Sequence, residues 1–245
     1  MVGSVELKTV GRLPIRTVQR VIKANYGLHL GAGEIAEALH TVAEQGQEAY
    51  EEILTEIRKS VFTNADETGW RKDGENGYIW SFSTPQQRYF IYRKSRSGQV
   101  AREVLNEEFE RVTVSDFYGD YNALPGCKER CWVHFLRDLH KLREKSEKDV
   151  PQQVLSQRIE RFLPELFIFV EYPEVPSENN AAERAVRPAV IARKISEGTR
   201  SRKGSETKMT LMSLFGTWAV QGLDTIEACR QMLISALMAA DRAVP

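Results

Sequence analysis

The stretch that decides the fold of this chain is Arg111-Val-Thr-Val-Ser-Asp-Phe-Tyr-Gly-Asp-Tyr-Asn122. Its first half is apolar and β-branched, which predicts a buried strand over 111–116. The Tyr-Gly-Asp-Tyr-Asn that follows is typical of a turn and ends the strand. Asp116 therefore lies at the carboxyl end of a strand, where open α/β sheets place their binding and catalytic groups.

The composition is that of an ordinary globular protein. Of 245 residues, 42% are hydrophobic and 28% are charged, and the 34 Lys and Arg balance the 34 Asp and Glu, so any surface for nucleic acid must be local. Cys127, Cys131 and Cys229 are too few for a disulfide framework and indicate a reducing cytoplasm. No apolar run approaches the roughly 18 residues of a membrane span, and the first residues lack the apolar core of a signal peptide. We therefore expect a cytoplasmic protein with no membrane partner.

Hydrophobic periodicity predicts helices at both ends of the chain and a mixed sheet between them. The predicted helices cover 14–26, 34–59 (divided at Gly46), 98–105, 136–142, 154–170 and 205–238 (divided at 222–224). The predicted strands cover 60–66, 78–82, 88–92, 111–116 and 130–134, while 167–170 fits either a strand or a helix end. We therefore predict an α/β fold in which an antiparallel meander joins parallel strands and helices flank the sheet. We divide the chain into a helical region 1–59, a core 60–204 and C-terminal helices 205–245.

The first two predicted helices are joined by a Gly-containing turn over 28–33, as in a helix-turn-helix. Positive charge for such a role comes from Arg12, Arg16, Arg20 and Lys23. A helical hairpin that only covers the sheet fits the same pattern, and we prefer it.

Acidic residues end two of the predicted strands. Asp66 and Asp116 meet at one edge of the sheet if their strands are parallel neighbours. Carboxylate oxygens suit Mg²⁺ or Mn²⁺, and two such ions about 4 Å apart can cleave a phosphodiester. That chemistry needs a third carboxylate, for which Glu183 is the best candidate.

Glu183 lies just after a suitable helix start. Asn180 is a good N-cap, which would place Glu183 at the third helical position. A capping box, with the Glu183 carboxylate turned back on the Asn180 amide, is the alternative. A local stripe of positive charge favours a site instead, because phosphate-backbone recognition takes this form. The stripe consists of Arg184, Arg187, Arg193, Lys194, Arg200, Arg202 and Lys203.

Four ordered motifs resemble the bacterial insertion sequence 66 family of transposases. They are Asp66-Glu-Thr-Gly-Trp70 with Trp80-Ser-Phe-Ser-Thr84, Val114-Ser-Asp-Phe-Tyr118 with Tyr121, Cys131-Trp-Val-His134 with Arg137-Asp-Leu139, and Asn179-Asn-Ala-Ala-Glu-Arg184 through Arg193-Lys-Ile-Ser196. The resemblance runs from about Leu13 to the C-terminal helices. It implies an RNase H-like core and a DDE site of Asp66, Asp116 and Glu183 with divalent metal. It also implies cleavage at transposon ends, attack of the freed 3′ hydroxyl on target DNA, and a homodimer or higher multimer.

The pair Cys131 and His134 matches a Cys-x-x-His pattern that many DDE transposases carry after the second acid. The resemblance gives these residues, like Asn180, a supporting role near the acids. A zinc site is the alternative, although its spacing is not that of a standard finger and Trp132 and Val133 alternate as in a half-buried strand. Its ligands would be Cys127, Cys131, His134 and His140.

The chain departs from the family pattern in two places. It lacks the cysteine-rich, zinc-finger-like segment and the longer helix of the N-terminal region. The connection between Asp116 and Glu183 is also short, as if material had been deleted within 141–176. A catalytically impaired remnant that only binds DNA or a partner transposase is therefore an alternative function, and a nuclease or resolvase is another. A Ser hydrolase and a P-loop enzyme are disfavoured, because neither Gly-x-Ser-x-Gly nor the P-loop Lys-Ser/Thr is present.

Overall fold

The centre of the molecule is a five-stranded mixed sheet. The computed structural model describes residues 1–106, 108–145, 157 and 159–242. The strands are β1 Phe62–Lys72, β2 Glu75–Ser83, β3 Arg88–Arg93, β4 Val112–Ser115 and β5 Cys127–Arg130. Their spatial order is β3-β2-β1-β4-β5, with β1, β2 and β3 antiparallel and β1, β4 and β5 parallel. This is the predicted sheet, and it has an RNase H-like topology.

Helices cover both faces of the sheet and form the N-terminal region. They are α1 Val2–Thr9, α2 Ile15–Tyr26, α3 Ala32–Gln45, α4 Gln47–Lys59, α5 Gly98–Leu105, α6 Trp132–Lys145, α7 Ile168–Glu171, α8 Asn180–Ser196, α9 Arg202–Val220 and α10 Thr225–Arg242. The predicted helices 14–26 and 98–105, the break at Gly46 and the two C-terminal helices are confirmed, while α1 was not predicted. Within the described residues, no helix combines the length and the apolarity needed to cross a membrane.

The first hairpin is longer than the sequence pattern indicated. The predicted strand 60–66 is wrong at its end, because β1 continues to Lys72, which pairs with Glu75 of β2. Asp73 and Gly74 form the two-residue turn, with φ of 52° and 79°. Asp-Gly is a strong signal for a turn with two left-handed residues. Asp66 therefore lies inside β1 rather than at its end.

Alternation along the strands separates two cores. Ala65, Trp80 and Phe82 belong to the larger core, beneath apolar residues of α3, α4, α5, α9 and α10. Trp70 and Ile79 belong to the second core, which α8 covers with Ala189 and Ala192 and to which α9 contributes Met209 and Met212. Small side chains let α8 lie close to the sheet. Since side chains alternate along a strand, Asp66 points to the same face as Trp70, toward α8.

The region after β4 corrects a second prediction. The expected strand 130–134 is wrong, because β5 ends at Arg130 and α6 begins at Trp132. The amide of Phe135 donates to the Cys131 carbonyl at 3.0 Å, which starts the helix. Cys131 and His134 therefore lie one helical turn apart and do not alternate on a strand.

The predicted helix 154–170 lies partly outside the described residues, as does much of the charged segment 141–149. Its described end holds a 3₁₀ turn, Leu163–Glu165, and then α7. Residues 168–170 are therefore helical, which settles the strand-or-helix choice made for 167–170 from the sequence. The domain boundaries at 59 and 204 stay a prediction.

Candidate active site

The first two acids are brought together by strand register. β1 and β4 pair in parallel through Phe62 with Val112 and Asn64 with Val114. The pairing ends at Asn64 and Val114, so Asp66 and Asp116 each follow the last paired residue of their segment by two positions. Neighbouring strands lie about 4.8 Å apart, and the even-numbered residues of both segments share one face. The sequence prediction that these two strands are parallel neighbours is confirmed.

The Asp116 carboxylate is oriented by the turn that follows it. Its Oδ1 accepts a hydrogen bond from the amide of Tyr118 at 2.9 Å. Such a bond between an Asp side chain and the backbone two residues on is the usual Asx turn. The second carboxylate oxygen is then left for other partners.

Arg130 fixes the backbone at the end of β4 and was missed by the sequence analysis. Its side chain is fully buried and pairs with Glu165 at 2.6 Å. Its Nη1 donates to the Asp116 carbonyl at 2.7 Å and to Ser115 Oγ at 3.1 Å, and its Nη2 donates to Asn122 Oδ1 at 2.5 Å. A buried cation with four partners holds the turn after β4 in a single arrangement.

The start of α8 is tied to β1 by Asn179. This side chain is only 2% exposed. Its Nδ2 donates to the Ala65 carbonyl and its Oδ1 accepts from Asn64 Nδ2, both at 2.9 Å. Its backbone amide donates to Cys131 Sγ at 3.1 Å. The helix that carries the third acid is therefore anchored one residue before Asp66.

Two details predicted for this helix start are wrong. The N-cap is Asn179 rather than Asn180, so Glu183 is the fourth helical residue. Glu183 Oε1 lies 3.5 Å from Nε2 of His134, so its carboxylate faces α6 and not the Asn180 amide. The sequence offered two consecutive asparagines, and only burial against β1 distinguishes them.

The three acids form one electrostatic group. Burial, the neighbouring Glu67 carboxylate and then the charges of Asp116 and Glu183 raise the pKa of Asp66 to about 7. Burial and a neighbouring negative charge both disfavour the ionised form of a carboxyl group, so all these causes act in the same direction on Asp66. That Asp66, Asp116 and Glu183 form one catalytic site stays a prediction.

His134 belongs to the same group. A hydrogen bond with Cys131 raises the pKa of the imidazole, and the charge of Asp116 raises it further. Burial raises the pKa of the Cys131 thiol, but hydrogen bonds from His134 and from the Asn179 amide lower it overall. The Cys-x-x-His pair therefore lies between α6, the start of α8 and the acids.

Glu67 is a fourth acid at the site, and the sequence analysis missed it. Its side chain is 3% exposed and pairs with Arg96 at 2.6 Å. It also accepts a hydrogen bond from the Tyr121 hydroxyl. Burial raises the pKa of Glu67, and the charge of Asp116 contributes. The sequence did contain a signal for Glu67. It follows Asp66 directly in a strand, so its side chain points to the opposite face, into the aromatic core.

Among the described residues, no group of three or more His, Cys, Asp or Glu side chains is placed to hold a metal ion. The zinc alternative has no support, since its four candidate ligands form no such group. The carboxylates of Asp66 and Asp116 nevertheless fit a divalent cation chemically. They are hard oxygen ligands, and a bound cation would favour the ionised form of Asp66, whose pKa is raised by burial and by the charges of Glu67 and Asp116.

Part of the predicted basic stripe runs away from the acids along α8. Arg187 and Lys194 are exposed. They follow Glu183 by four and eleven residues, a spacing that puts all three on one flank of the helix. Arg184 and Arg200 are also exposed.

The other three cations of the stripe have internal partners. Arg193 Nη1 donates to the Gly69 carbonyl at 2.7 Å and so holds α8 on β1. Arg202 pairs with Glu206 at 2.8 Å, and Lys203 pairs with Glu44 at 2.9 Å. The other four cations are therefore the better candidates for contact with a polyanion: Arg184, Arg187, Lys194 and Arg200.

The sheet order and the acids at the carboxyl edge of β4 define an RNase H-like protein with an acidic site. Comparison with known families makes this specific. The model of the Transposase IS66 family matches residues 3–163 and 159–207, so the chain belongs to that family. The two matched stretches meet inside the segment 141–176, which the sequence analysis predicts to be shortened.

A curated relative is the uncharacterized protein y4jO of Sinorhizobium fredii (strain NBRC 101917 / NGR234). It is 39% identical over 66 residues, which are 27% of this chain and 21% of the relative. The match therefore spans about one fifth of the length of that protein.

Proposed function

We propose that this transposase-family chain cleaves DNA at the ends of an insertion sequence and joins the freed 3′ hydroxyl to target DNA. The observation that supports the proposal is the parallel pairing of β1 with β4, because Asp66 and Asp116 each follow the last paired residues by two positions. The charges of Asp116 and Glu183, which help to raise the pKa of Asp66, agree with it. Family membership adds the class of reaction.

In this proposal the three carboxylates hold one or two Mg²⁺ or Mn²⁺ ions. Such ions, when bound, activate the attacking oxygen and stabilise the leaving oxygen of an in-line displacement. The residues of the chain supply position. Arg130 and the register of β1 fix the sheet-borne acids, while Asn179 fixes the helix that carries Glu183. Close placement of reacting groups is worth several orders of magnitude in rate.

His134 has a positioning role in this scheme. Its Nε2 lies 3.5 Å from Glu183, and Cys131 bonds to it from the preceding turn. It thereby holds the Glu183 carboxylate near the other two acids. The exposed cations Arg187 and Lys194 would bind the phosphate backbone next to the scissile bond. Action on paired DNA ends would require a homodimer or a higher multimer.

The test uses a supercoiled plasmid that carries the ends of the insertion sequence, with Mg²⁺ or Mn²⁺. Wild-type protein should give nicked and strand-transfer products, and Asp116→Asn should give none. Asp120→Asn is the matched control, because it removes an acid four residues further along while leaving the three carboxylates in place. Cleavage by the Asp116 variant at the wild-type rate would overturn the proposal.

A second candidate is a remnant that binds DNA or a partner transposase without chemistry. The short connection between Asp116 and Glu183 favours it, because this connection leads to the helix that carries the third acid. Under this hypothesis the wild-type protein binds the same DNA and leaves it intact with either metal. A nuclease would instead give nicked products without strand transfer, so analysis of the products separates all three functions.

A further inference from the structure

The outward face of α2 is a concentrated positive surface far along the chain from the acids. Arg16, Arg20 and Lys23 are exposed and spaced by four and three residues, which puts them on one side of the helix. With Gln19, His29 and Leu30 they line a groove of about 600 Å³. A helix rises 1.5 Å per residue, so the three cations span about 10 Å, close to three base-pair steps of 3.4 Å.

Within the described part of the chain, no ion pair neutralises these cations. The ion pairs found among the described residues do not involve Arg16, Arg20 or Lys23. α2 itself contains no Asp or Glu. The nearby carboxylate of Glu34 accepts a hydrogen bond from the Gly31 amide at 2.5 Å. In a chain of zero formal net charge, a helix face with three cations and no acid is unusual.

The groove is built on a rigid support. Val18, Ile22 and Ile35 form a small core of their own, which fixes α2 on α3. Gln19 Nε2 donates to the Leu30 carbonyl at 2.8 Å and holds the loop 27–31 beside the cations. Tyr26, 73% exposed, adds an aromatic ring next to them. A charged helix face that served only to keep the protein soluble would not need an ordered groove beside it.

We propose that this α2 face binds the phosphate backbone of duplex DNA, as a second contact separate from the α8 flank. Charge complementarity selects a polyanion, and three cations on one helix face suit contact with more than one phosphate of the backbone. The choice of DNA among polyanions rests on the proposed function. For the predicted helix-turn-helix at 14–45, we thus propose only contact between the outer face of α2 and the DNA phosphate backbone.

The test measures binding of wild-type protein to a fluorescent duplex of random sequence by anisotropy, in EDTA and at several NaCl concentrations. Each phosphate contact contributes about 0.9 to the slope of log K against log salt. The slope is negative, and the triple variant Arg16→Gln, Arg20→Gln, Lys23→Gln should therefore make it shallower by about 2 to 3. Its control, Lys59→Gln, Arg111→Gln, Arg230→Gln, removes the same charge from other exposed positions and should keep the wild-type slope.

An unchanged slope in the α2 variant, or an equal loss in the control variant, would overturn the inference. Failure of the proposed function is distinguishable, because no divalent metal is present. A wild-type protein that cleaves no DNA but loses slope through the α2 variant supports the inference and removes the catalytic proposal. If the wild-type protein cleaves DNA but the α2 variant keeps the wild-type salt slope, the catalytic proposal is supported and the inference about α2 is overturned.

A second measurement needs no variant. Acylation of lysine amines in the wild-type protein, followed by peptide mass analysis, should show Lys23 protected several-fold by duplex DNA and Lys59 unprotected. Unprotected Lys23 would overturn the inference. Equal protection of Lys23 by polyglutamate would overturn it as well, because the surface would then be a general anion site.

Discussion

The two halves of the acidic site are held in different ways. Asp66 and Asp116 each follow the paired residues of the parallel strands β1 and β4 by two positions, and Arg130 holds the turn that carries Asp116. Glu183 lies on a helix, and its place depends on side-chain contacts from Asn179 and His134. Backbone ladders are long and cooperative, whereas a latch of two or three hydrogen bonds is local. The sheet half is thus preformed, and the helix half is the adjustable part of the site.

The largest effect is expected from removal of an acid in the sheet half. Asp66→Asn should lower cleavage about a thousandfold or more, as loss of a central catalytic group does. The same variant should be more stable than wild type at pH 8 without metal. The pKa of about 7 in the folded protein lies above the ordinary Asp value of 3.8, so the stability that Asp66 contributes is present at low pH and lost as pH rises through 7.

Urea unfolding in EDTA at pH 8 measures this gain, which should be about 1 to 2 kcal/mol. Wild-type cleavage activity in the variant would remove Asp66 from the chemistry. A loss of stability at pH 8 would contradict the repulsion among the acids.

Arg130→Met tests whether the sheet half depends on its buried cation. Loss of the guanidinium leaves the Glu165 carboxylate and the Asp116 carbonyl without their partner. Breaking a buried ion pair on one side typically costs about 3 to 5 kcal/mol. Urea unfolding measures the cost, and Arg161→Met, an exposed arginine of the same region, should change stability by less than about 0.5 kcal/mol. A small effect at Arg130 would mean that the strands alone fix Asp116.

Asn179→Ala tests the latch of the helix half. It leaves the Ala65 carbonyl and the Asn64 amide buried without partners, which should cost about 2 kcal/mol. The cleavage rate should fall by more than the increase in unfolded protein accounts for, because Glu183 loses its fixed position. Asn180→Ala is the matched control, one residue away and half-buried, and should stay near wild type in both assays. Equal effects at the two asparagines would contradict the latch.

The sequence predicted the sheet half better than the helix half for a physical reason. Strand periodicity and the acid after β4 are local signals, so the neighbouring strands of Asp66 and Asp116 followed from the pattern. The overlooked Asp73-Gly74 turn was also local, and its neglect shortened β1. The choice of Asn179 over Asn180 depends on which side chain meets β1, a tertiary contact that no periodicity contains.

Two buried charged residues show the same limit. Arg130 ends a strand of only four residues, and its partners come from 8 to 35 positions away. Glu67 follows Asp66 directly, but its partners Arg96 and Tyr121 lie in other elements. Pairing of a buried charge is a property of the assembled core and not of its own segment.

The smallest effect concerns Glu129, which ties β5 to α7. This β5 side chain is fully buried, and its Oε2 accepts from the Phe169 amide at 3.3 Å, in the segment that leads to α8. Burial raises its pKa to about 7, above the ordinary Glu value of 4.5. The stability it contributes is therefore complete below about pH 4.5 and is lost as pH rises through 7.

Glu129→Gln should remove this dependence, because the amide keeps an acceptor for Phe169 and never ionises. Urea unfolding at pH 5 and at pH 8 measures the free energy of unfolding. Between these two pH values the wild type should lose about 1 to 2 kcal/mol more of it than the variant loses. Asp66 shifts stability in the same direction, but it is present in both proteins and cancels from the difference. Glu171→Gln, an exposed carboxylate in α7, should follow wild type. Parallel curves for wild type and Glu129→Gln would show that Glu129 is ionised in the folded protein, and hence that water reaches the connection between the sheet half and α8.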